Sequence, residues 1–370
     1  MKIRIDQKEL ADAAQRAYRR LPNNPLNPVL AGLLIEAPDG GPVTLSGFDL
    51  ETATRATLDA DVLAAGETVV PGRILADVAA ALPTGPVDVA AEEHQVTVST
   101  PGNDFRLPVL ARSDYPALPV PPGTAGTVDG DLLAAKVGHA ATAALGEKEA
   151  VGNMEGFGGV HVAAHGSQLV VSASDRYRIV RHTLPWTPDV DTAGELLMPA
   201  AGFSVTAKQM AGGPVHIAFP SANGTVAALA NDRLAVTSRI LAAAFPNIDG
   251  YFPKVDQAAG SAVFEAAELA AAVKRAALVG DDKSPIKVLI ADGKTEVRGG
   301  TGDSSGRTEI EADTDLVEFG IAFNPGYLAS LLAPIDGQVQ MWFTTSAKPA
   351  LIEPVDDATY RAVCMPVRLK

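Results

Sequence analysis

Hydrophobic and polar residues alternate along much of this chain, in short stretches separated by turn residues. That pattern predicts antiparallel strands with one buried face. In the first third, eight strands are predicted near residues 2–5, 33–36, 43–46, 52–58, 67–70, 87–90, 96–99 and 105–109.

Two stretches of the same third carry apolar residues at helical spacing. The first stripe is Leu10, Ala13, Ala14, Ala17 and Leu21, with Lys8, Asp12, Gln15, Arg16 and Arg19 opposite to it. The second helix is predicted over residues 71–82 and is expected to bury Ile74, Leu75, Val78 and Leu82. Two helices packed on antiparallel strands predict an α+β layer architecture.

The proline that opens the second helix recurs twice along the chain. Pro71, Pro199 and Pro325 stand 128 and 126 residues apart, each between a strand-like and a helical stretch, and proline is best tolerated in the first turn of a helix. Acidic residues in matching turns keep nearly the same interval: Asp49, Asp175 and Asp303. A period near 127 residues exceeds the 20 to 50 of solenoid repeats, so each repeat is predicted to be a domain.

The predicted domains cover residues 1–119, 126–246 and 254–370, joined by linkers at 119–126 and 247–253 that carry turn residues. No apolar run approaches the ~18 residues of a membrane span, and the first residues alternate as a strand where a signal peptide would be apolar. A cytoplasmic protein is therefore expected. The single cysteine, Cys364, alternates with Val363 and Met365 on a strand, which predicts a buried thiol.

Several motifs taken together resemble the bacterial DNA polymerase III β subunit, the sliding clamp. They are the threefold repeat, PVLAGLL at residues 28–34, SDRYR at 174–178, AFNP at 322–325, FTTS at 343–346 with KPA at 348–350, and MPVRL at 365–369. The resemblance covers the whole chain, and the alanine- and proline-rich, lysine-poor composition is similar to actinobacterial members.

The resemblance implies three tandem repeats of a DNA-clamp domain, each with two helices packed on antiparallel sheets, and a head-to-tail homodimer that closes a ring around duplex DNA. It implies no catalysis, no cofactor and no metal. A ring holds DNA by topology and needs only loose, sequence-independent attraction to phosphates. By resemblance, the dimer interface joins Phe105 and Leu107 of one copy to Leu278 and Val279 of the other.

Net charge tests that expectation. With 30 basic and 44 acidic side chains the total is −14, which argues against a conventional DNA-binding surface and requires basic residues to concentrate on the lining helices. The expected DNA-facing residues are Lys8, Arg16, Arg19, Arg20, Arg73, Lys136, Lys208 and Lys274, with His139 and Arg275 as further basic residues on the helices. Ordinary solvated helix faces are the alternative. This supply is thin, so weak attraction to DNA is expected.

In the family, polymerase III α subunit, clamp loader and repair proteins insert a short peptide with leucine, phenylalanine and glutamine anchors into a groove between the second and third domains. The matching positions here are Phe157, Ser174, Arg176, Tyr177, Arg178, Ile179, Pro246, Gly250, Tyr251, Ala347, Pro349, Val363, Met365, Pro366, Val367, Arg368 and Leu369. Without the resemblance, they would be interpreted as core residues.

Two groove positions depart from the family pattern. Phe157 stands where relatives usually have leucine, and Gly250 lacks the long basic side chain often found there, with Pro349 and Ser284 expected nearby. A linear peptide can repack against such a wall, whereas a rigid cyclic one cannot. This resembles what a self-resistance copy needs in a producer of a clamp-binding cyclic peptide such as griselimycin. Neutral drift in a housekeeping clamp is the alternative.

Three motifs are similar to those of enzymes, but the residues around them argue against an enzymatic function. Residues 302–306 satisfy G-x-S-x-G, so a serine hydrolase using Ser304 is the alternative function, but the following residues alternate like a strand where a nucleophile elbow needs a helix. His161 and His165 have metal-ligand spacing but lie in a strand-like stretch without the catalytic glutamate. The glycine-rich residues 156–159 lack the lysine of a phosphate loop and predict a turn.

Overall fold

The structure is a computed structural model that describes residues 1–189, 193–280, 284–291, 294–301 and 304–368. The α-helices are α1 (Gln7–Tyr18), α2 (Gly72–Ala81), α3 (Gly130–Ala141), α4 (Ala200–Gln209), α5 (Ala266–Ala277) and α6 (Pro325–Leu332). The strands of the first repeat are β1 (Lys2–Asp6), β2 (Gly32–Ala37), β3 (Val43–Phe48), β4 (Thr52–Leu58), β5 (Ala60–Ala64), β6 (Gly66–Pro71), β7 (Pro86–Ala91), β8 (Gln95–Thr100) and β9 (Asn103–Pro108).

The central repeat contributes β10 (Gly126–Asp129), β11 (Gly159–His165), β12 (Gln168–Ser174), β13 (Arg178–Pro185), β14 (Thr187–Pro188), β15 (Gly194–Pro199), β16 (Pro214–Ala218), β17 (Val226–Ala230) and β18 (Leu234–Arg239). The third contributes β19 (Gly260–Glu265), β20 (Ile286–Ala291), β21 (Lys294–Thr301), β22 (Ser304–Ile310), β23 (Asp313–Thr314), β24 (Glu318–Phe323), β25 (Gln338–Phe343), β26 (Ala350–Pro354) and β27 (Tyr360–Cys364). The expected α+β architecture is confirmed.

The described residues of each repeat form nine strands, one more than the eight predicted for the first repeat. In the first repeat the additional strand is β5, an edge strand whose residues are mostly exposed. Strand prediction depends on a buried face, and β5 has none. Of the three prolines, only Pro325 lies inside its helix; Pro71 and Pro199 end the preceding strands.

The chain packs as two compact units. Unit 1 comprises Met1–Asp131, Thr187–Leu196 and Lys208–Ile240; unit 2 comprises Leu132–Trp186, Leu197–Ala207 and Leu241–Lys370. Unit 1 holds a five-stranded sheet, β5-β1-β7-β8-β9, and a nine-stranded one, β14-β10-β16-β17-β18-β4-β3-β2-β6. Strand β18 of the central repeat pairs antiparallel with β4 of the first.

Unit 2 holds a second nine-stranded sheet, β15-β11-β12-β13-β27-β26-β25-β19-β23, and a four-stranded sheet, β22-β21-β20-β24. Here β13 of the central repeat pairs with β27 of the third. The central repeat thus contributes five strands to the nine-stranded sheet of unit 1 and four to that of unit 2, which is why the units do not follow the repeats.

The buried faces of the helices are rich in small residues. Helix α1 buries Leu10, Ala13, Ala14 and Ala17 as predicted. In α2 the prediction for Ile74 is wrong, since this side chain is 46% exposed, and Val78 is only half-buried. The helix instead buries Gly72, Leu75, Ala76 and Ala79, and a Cβ on Gly72 would lie 2.9 Å from a backbone oxygen. Close packing of the backbone, and not the size of aliphatic side chains, determines which face of α2 is buried.

Candidate functional site

A cavity of about 360 Å³ lies in unit 2, where β13 begins and β27 ends. It brings together predicted groove residues from four separate segments: Phe157, Ser174, Arg176, Tyr177, Arg178, Ile179, Pro246, Tyr251, Val363 and Met365. Two further residues line it that sequence reasoning did not single out, Asn247 and Ile248. We refer to it as the first cavity.

One wall of the first cavity is the turn between β12 and β13. The Asp175 carboxylate accepts hydrogen bonds from the backbone N–H of Tyr177 at 3.0 Å and of Arg178 at 2.9 Å. The Ser174 hydroxyl donates to the Arg178 carbonyl at 2.9 Å. Arg176, with φ of 78°, occupies the left-handed region that non-glycine residues seldom adopt. The turn therefore presents Tyr177, 52% exposed, in one fixed direction.

Arg178 is a structural part of this wall. Its Nε donates to Asp175 at 2.9 Å, its Nη atoms bond the Ser330 hydroxyl and the Thr142 carbonyl, and only 12% of its side chain is exposed. The guanidinium also lies 4.7 Å from the ring centroid of Tyr327, a cation–π contact. Its charge is compensated inside the protein, so it fixes the shape of the cavity.

The floor is apolar. Ile179, Ile248, Leu351 and Val363 form a buried cluster, with Phe245, Phe252 and Trp342 packed against it. Ile179 and Val363 are direct partners in the β13–β27 pair. Ile248 comes from the segment interpreted as a linker. The signal that could have identified it is a single apolar residue among the polar residues that follow Pro246.

Phe157 stands on another wall, in a 3-10 helical turn from Gly152 to Gly158. Its carbonyl accepts the Leu145 N–H at 2.8 Å. The turn predicted at residues 156–159 overlaps this short helix, which begins four residues earlier than the prediction. Gly156 has no room for a side chain, since a Cβ would lie 2.2 Å from the Ala244 carbonyl oxygen, which places the Phe157 ring beside the segment of Pro246.

A histidine pair lies behind the Arg178 wall. His139 Nε2 donates to the Ser330 carbonyl at 2.9 Å, so its Nδ1 accepts from His182 Nε2 at 2.8 Å. His182 Nδ1 is then an unprotonated nitrogen, buried without a partner among the described residues. Burial lowers the pKa of both rings, that of His182 to about 2. Both are neutral at pH 7, so counting His139 among the basic helix residues is wrong.

The remaining groove predictions lie elsewhere or are less enclosed. Gly250 is exposed, with no atom within 4 Å of an added Cβ. Pro349 and Pro366 are half-buried. Ala347, Val367 and Arg368 line a second cavity of about 460 Å³ in unit 2. Leu369 lies outside the described residues, as does Asp303, the third acidic repeat mark.

The predicted DNA-facing residues lie on or beside helices. Lys8 and Arg16 are on α1, Arg19 caps its end, and Arg20 follows. Arg73 on α2 is exposed and pairs with Asp77 at 3.6 Å. Lys208 on α4 and Lys274 on α5 are exposed, and Lys136 on α3 is half-buried. Each unit therefore carries part of this set.

The predicted dimer residues occupy two accessible places. Phe105 is 39% exposed on β9, the edge strand of the five-stranded sheet, and Leu278 is 82% exposed just after α5. Val279 is half-buried. Leu107 is only 1% exposed, so its side chain belongs to the core of unit 1 and it can offer a partner only its backbone.

The motifs that favoured an enzyme form ordinary secondary structure. Ser304 begins β22 and no helix follows it, so the serine hydrolase alternative is unsupported. His161 and His165 lie at different points along β11, and His161 stacks on Phe245 at 4.8 Å. The described residues contain no cluster of three potential metal ligands, and none of their helices has the length and apolarity to cross a bilayer. Cys364 is buried, as predicted, and burial raises its pKa to about 12.

Three family models match the chain in order. They are the DNA polymerase III beta subunit N-terminal domain over residues 1–119, the central domain over 131–247 and the C-terminal domain over 251–368. Among curated relatives, the beta sliding clamp of Streptomyces coelicolor is 35% identical, and the beta sliding clamp homolog GriR of Streptomyces muensis is 32% identical. Both comparisons cover 100% of this chain and at least 99% of the relative.

Solved structures agree in fold. The DNA polymerase III subunit beta from Pseudomonas aeruginosa superimposes with a TM-score of 0.91 at 22% identity, and a clamp from the same species bound to griselimycin with 0.89 at 21%, each covering 100% of both chains. With three matching domain models and relatives above 30% identity over its full length, this chain belongs to the DNA polymerase III beta subunit family, the three-domain sliding clamps that serve DNA polymerase III as non-catalytic processivity factors.

Proposed function

We propose that two copies of this chain close around duplex DNA and that the first cavity is the groove by which the clamp holds its partner proteins. The observation that carries the proposal is the cavity itself, with an apolar floor and a hydrogen-bonded wall. Its volume of about 360 Å³ lies in the range of small-ligand pockets and suits one or two anchoring side chains. The partners are the polymerase III α subunit, the clamp loader and repair proteins, each through a short peptide.

The same proposal assigns the domains and the interface. The three repeats, residues 1–119, 126–246 and 254–370, are the domains of each copy. The exposed side chains Phe105 and Leu278 meet across the dimer, where two edge strands, β9 and β22, are free to continue a sheet. DNA is attracted weakly, by the lysines and arginines of the helices, and retained because the dimer encloses it.

Peptide binding tests the groove. We expect Met365→Ala to weaken binding of a linear peptide with leucine and phenylalanine anchors by more than ~1 kcal/mol, the cost of truncating an interface anchor. Leu26→Ala is the matched control, because Leu26 is a fully exposed apolar residue in unit 1. Titration by fluorescence polarisation measures both. Unchanged affinity in Met365→Ala would overturn the groove assignment.

Retention on DNA tests the enclosure. Loaded on a nicked circle, the clamp should survive a rise in salt that strips ordinary phosphate binders and should leave when the circle is cut. Leu278→Asp should dissociate the dimer, because it places a charge in the interface. Equal loss from circular and linear DNA would count against enclosure.

A second candidate role is that of an antibiotic-tolerant copy, and the position of Phe157 favours it. This ring lines the first cavity where relatives usually have leucine, and a Pseudomonas aeruginosa clamp is described as bound to griselimycin. We expect Phe157→Leu to tighten griselimycin binding while a linear peptide binds the variant and the parent alike. Equal griselimycin affinity in parent and variant would remove Phe157 from any such role.

A further inference from the structure

The second cavity lies on the outer face of the four-stranded sheet of unit 2. Its apolar lining includes Leu289, Ile321 and Val367, while Lys287 and Arg368 are exposed at its edge. Sequence reasoning placed Val367 and Arg368 in the groove but gave no role to Lys287 or to the strands β20 and β24.

Register explains why a depression forms here. Lys287 pairs with Ala322, and Leu289 with Gly320, so small residues of β24 stand beside long ones of β20 on one face. A Cβ on Gly320 would come within 3.1 Å of the Leu289 side chain. The Val367 N–H donates to the Ala322 carbonyl at 2.8 Å, which brings the C-terminal segment alongside β24. The small residues of β24 therefore lie between the long side chains of β20 and the C-terminal segment, and this depression is the second cavity. We also call it the trough.

At its Lys287 end the trough is positively charged, opposite in sign to the whole chain, whereas Glu296, Glu309 and Glu318 lie further along the same face. Across the sheet, Lys287 pairs with Arg298 and Arg298 with Arg307, so three cations stand in one row. Like charges in direct opposition destabilise a sheet. Arg298 is compensated by Glu296 at 2.6 Å, whereas Lys287, Arg307 and Arg368 form no salt bridge with any residue that the structure describes. In a chain of net charge −14, this row is suited to an acidic ligand.

The trough also continues from the first cavity. Met365 lines the first cavity and Val367 the second, with only Pro366 between them. Val367 borders Ala322, which is the cross-strand partner of Lys287, so a peptide anchored in the first cavity needs only a short extended segment to reach Lys287.

We propose that the second cavity is a subsite for the segment that flanks a partner's anchor motif, and that it selects an apolar side chain followed or preceded by aspartate or glutamate. The proposal rests on the assignment of the first cavity as the peptide groove and adds a charge preference to it. Lys287 and Arg368 bind the carboxylates, and Leu289 and Val367 receive the apolar side chain.

Matched peptides test this preference. The probes are a core anchor peptide, the same peptide extended at either end by Glu-Leu-Glu-Glu, and the same extended by Gln-Leu-Gln-Gln. At low salt, one acidic extension should bind about threefold or more tighter than its glutamine counterpart, the scale of exposed charge pairs acting together. The gain should shrink as salt screens it.

Two lysine variants locate the effect. Lys287→Gln should abolish the gain, and Lys294→Gln should keep it, because Lys294 is another exposed lysine of the same sheet that does not line the second cavity and is paired with Glu309 at 3.9 Å. Both should bind the core peptide as the parent does. Equal affinity of acidic and glutamine extensions for the parent, or equal loss in both variants, overturns the subsite.

Two further outcomes are informative. Displacement of the acidic extension by an oligonucleotide of matched charge, without loss of the core peptide, would assign the cations to nucleic acid and overturn the proposal. Failure of the core peptide to bind the parent would instead refute the groove on which the proposal rests.

Discussion

The two strand pairs that join neighbouring repeats, β18–β4 in unit 1 and β13–β27 in unit 2, share a backbone plan and differ in their side chains. Asp49 accepts hydrogen bonds from the N–H groups two and three residues later, at 2.9 and 2.6 Å, and Asp175 does the same at 3.0 and 2.9 Å. The residues that follow, Leu50 and Arg176, both have positive φ, 76° and 78°. The recurring aspartates, Asp49 and Asp175, therefore form the same kind of turn in both units.

The two regions differ in the side chains around that turn. Near the first cavity, three positions 126 residues apart change from small or polar in unit 1 to apolar in unit 2: Ala53 to Ile179, Thr237 to Val363 and Arg239 to Met365. In unit 1 the adjacent pair, Thr52 and Ser238, is tied by a 2.9 Å hydrogen bond. The first cavity therefore has the same backbone arrangement as the matching place in unit 1 and differs from it in its apolar side chains. We call the residues at these three positions the seam residues.

The largest difference should appear when the turn aspartates are removed. Asp175→Ala leaves the Arg178 guanidinium, only 12% exposed, without its carboxylate, which should lower the free energy of unfolding of unit 2 by about 3 kcal/mol. Asp49→Ala removes only turn hydrogen bonds and should cost about 1 kcal/mol in unit 1. Urea unfolding measures both. Equal costs would mean that the Arg178 ion pair contributes nothing beyond the turn.

Exchanging the seam residues tests the side-chain explanation directly. Val363→Thr with Met365→Arg gives unit 2 the residues of unit 1 and should weaken partner-peptide binding at least tenfold, about 1.4 kcal/mol. The fold should persist, because unit 1 holds the same residues at the same register. The reciprocal pair, Thr237→Val with Arg239→Met, is the control and should leave peptide affinity unchanged. Normal binding by the first pair would refute the comparison.

The sequence predicts what is local and repeated. The period, the α+β elements and the matching turns follow from residues close together in the chain, and so do the candidate groove residues once the family is recognised. The contacts of Arg178 with Thr142 and Ser330 could not be predicted, since they join residues 36 and 152 positions away. Ile74 was misplaced because glycine and alanine, weak in any hydrophobic pattern, decide which face of α2 packs closely.

The stability of the two regions should also depend differently on pH. The histidine pair of unit 2 corresponds, 126 residues earlier, to Ala13 and Ala56, both buried. The pKa of each histidine is lowered by burial, with Lys136 and Arg178 near His139 lowering it further. Their contribution to stability is therefore complete above pH 6.5.

As the pH falls below 6.5, the unfolded chain binds protons that the folded pair does not. Stability should then fall by up to about 1.4 kcal/mol per pH unit for each histidine. Thermal unfolding between pH 7.5 and 5.5 measures the slope. His139→Ala with His182→Ala, which reproduces the alanines of unit 1, should flatten it; an unchanged slope would assign the pH dependence to carboxylates.

The smallest effect concerns the strained residue of each turn. Leu50→Gly and Arg176→Gly remove a left-handed non-glycine residue, which costs roughly 1 kcal/mol, but they add chain entropy to the unfolded state, which offsets about half of that gain. Each should therefore raise the free energy of unfolding by about 0.5 kcal/mol. Because the turns share one geometry, the two gains should match, whereas only Arg176→Gly, at the wall of the first cavity, should change peptide affinity. Gains of opposite sign would show that the turns differ in backbone energy as well as in side chains.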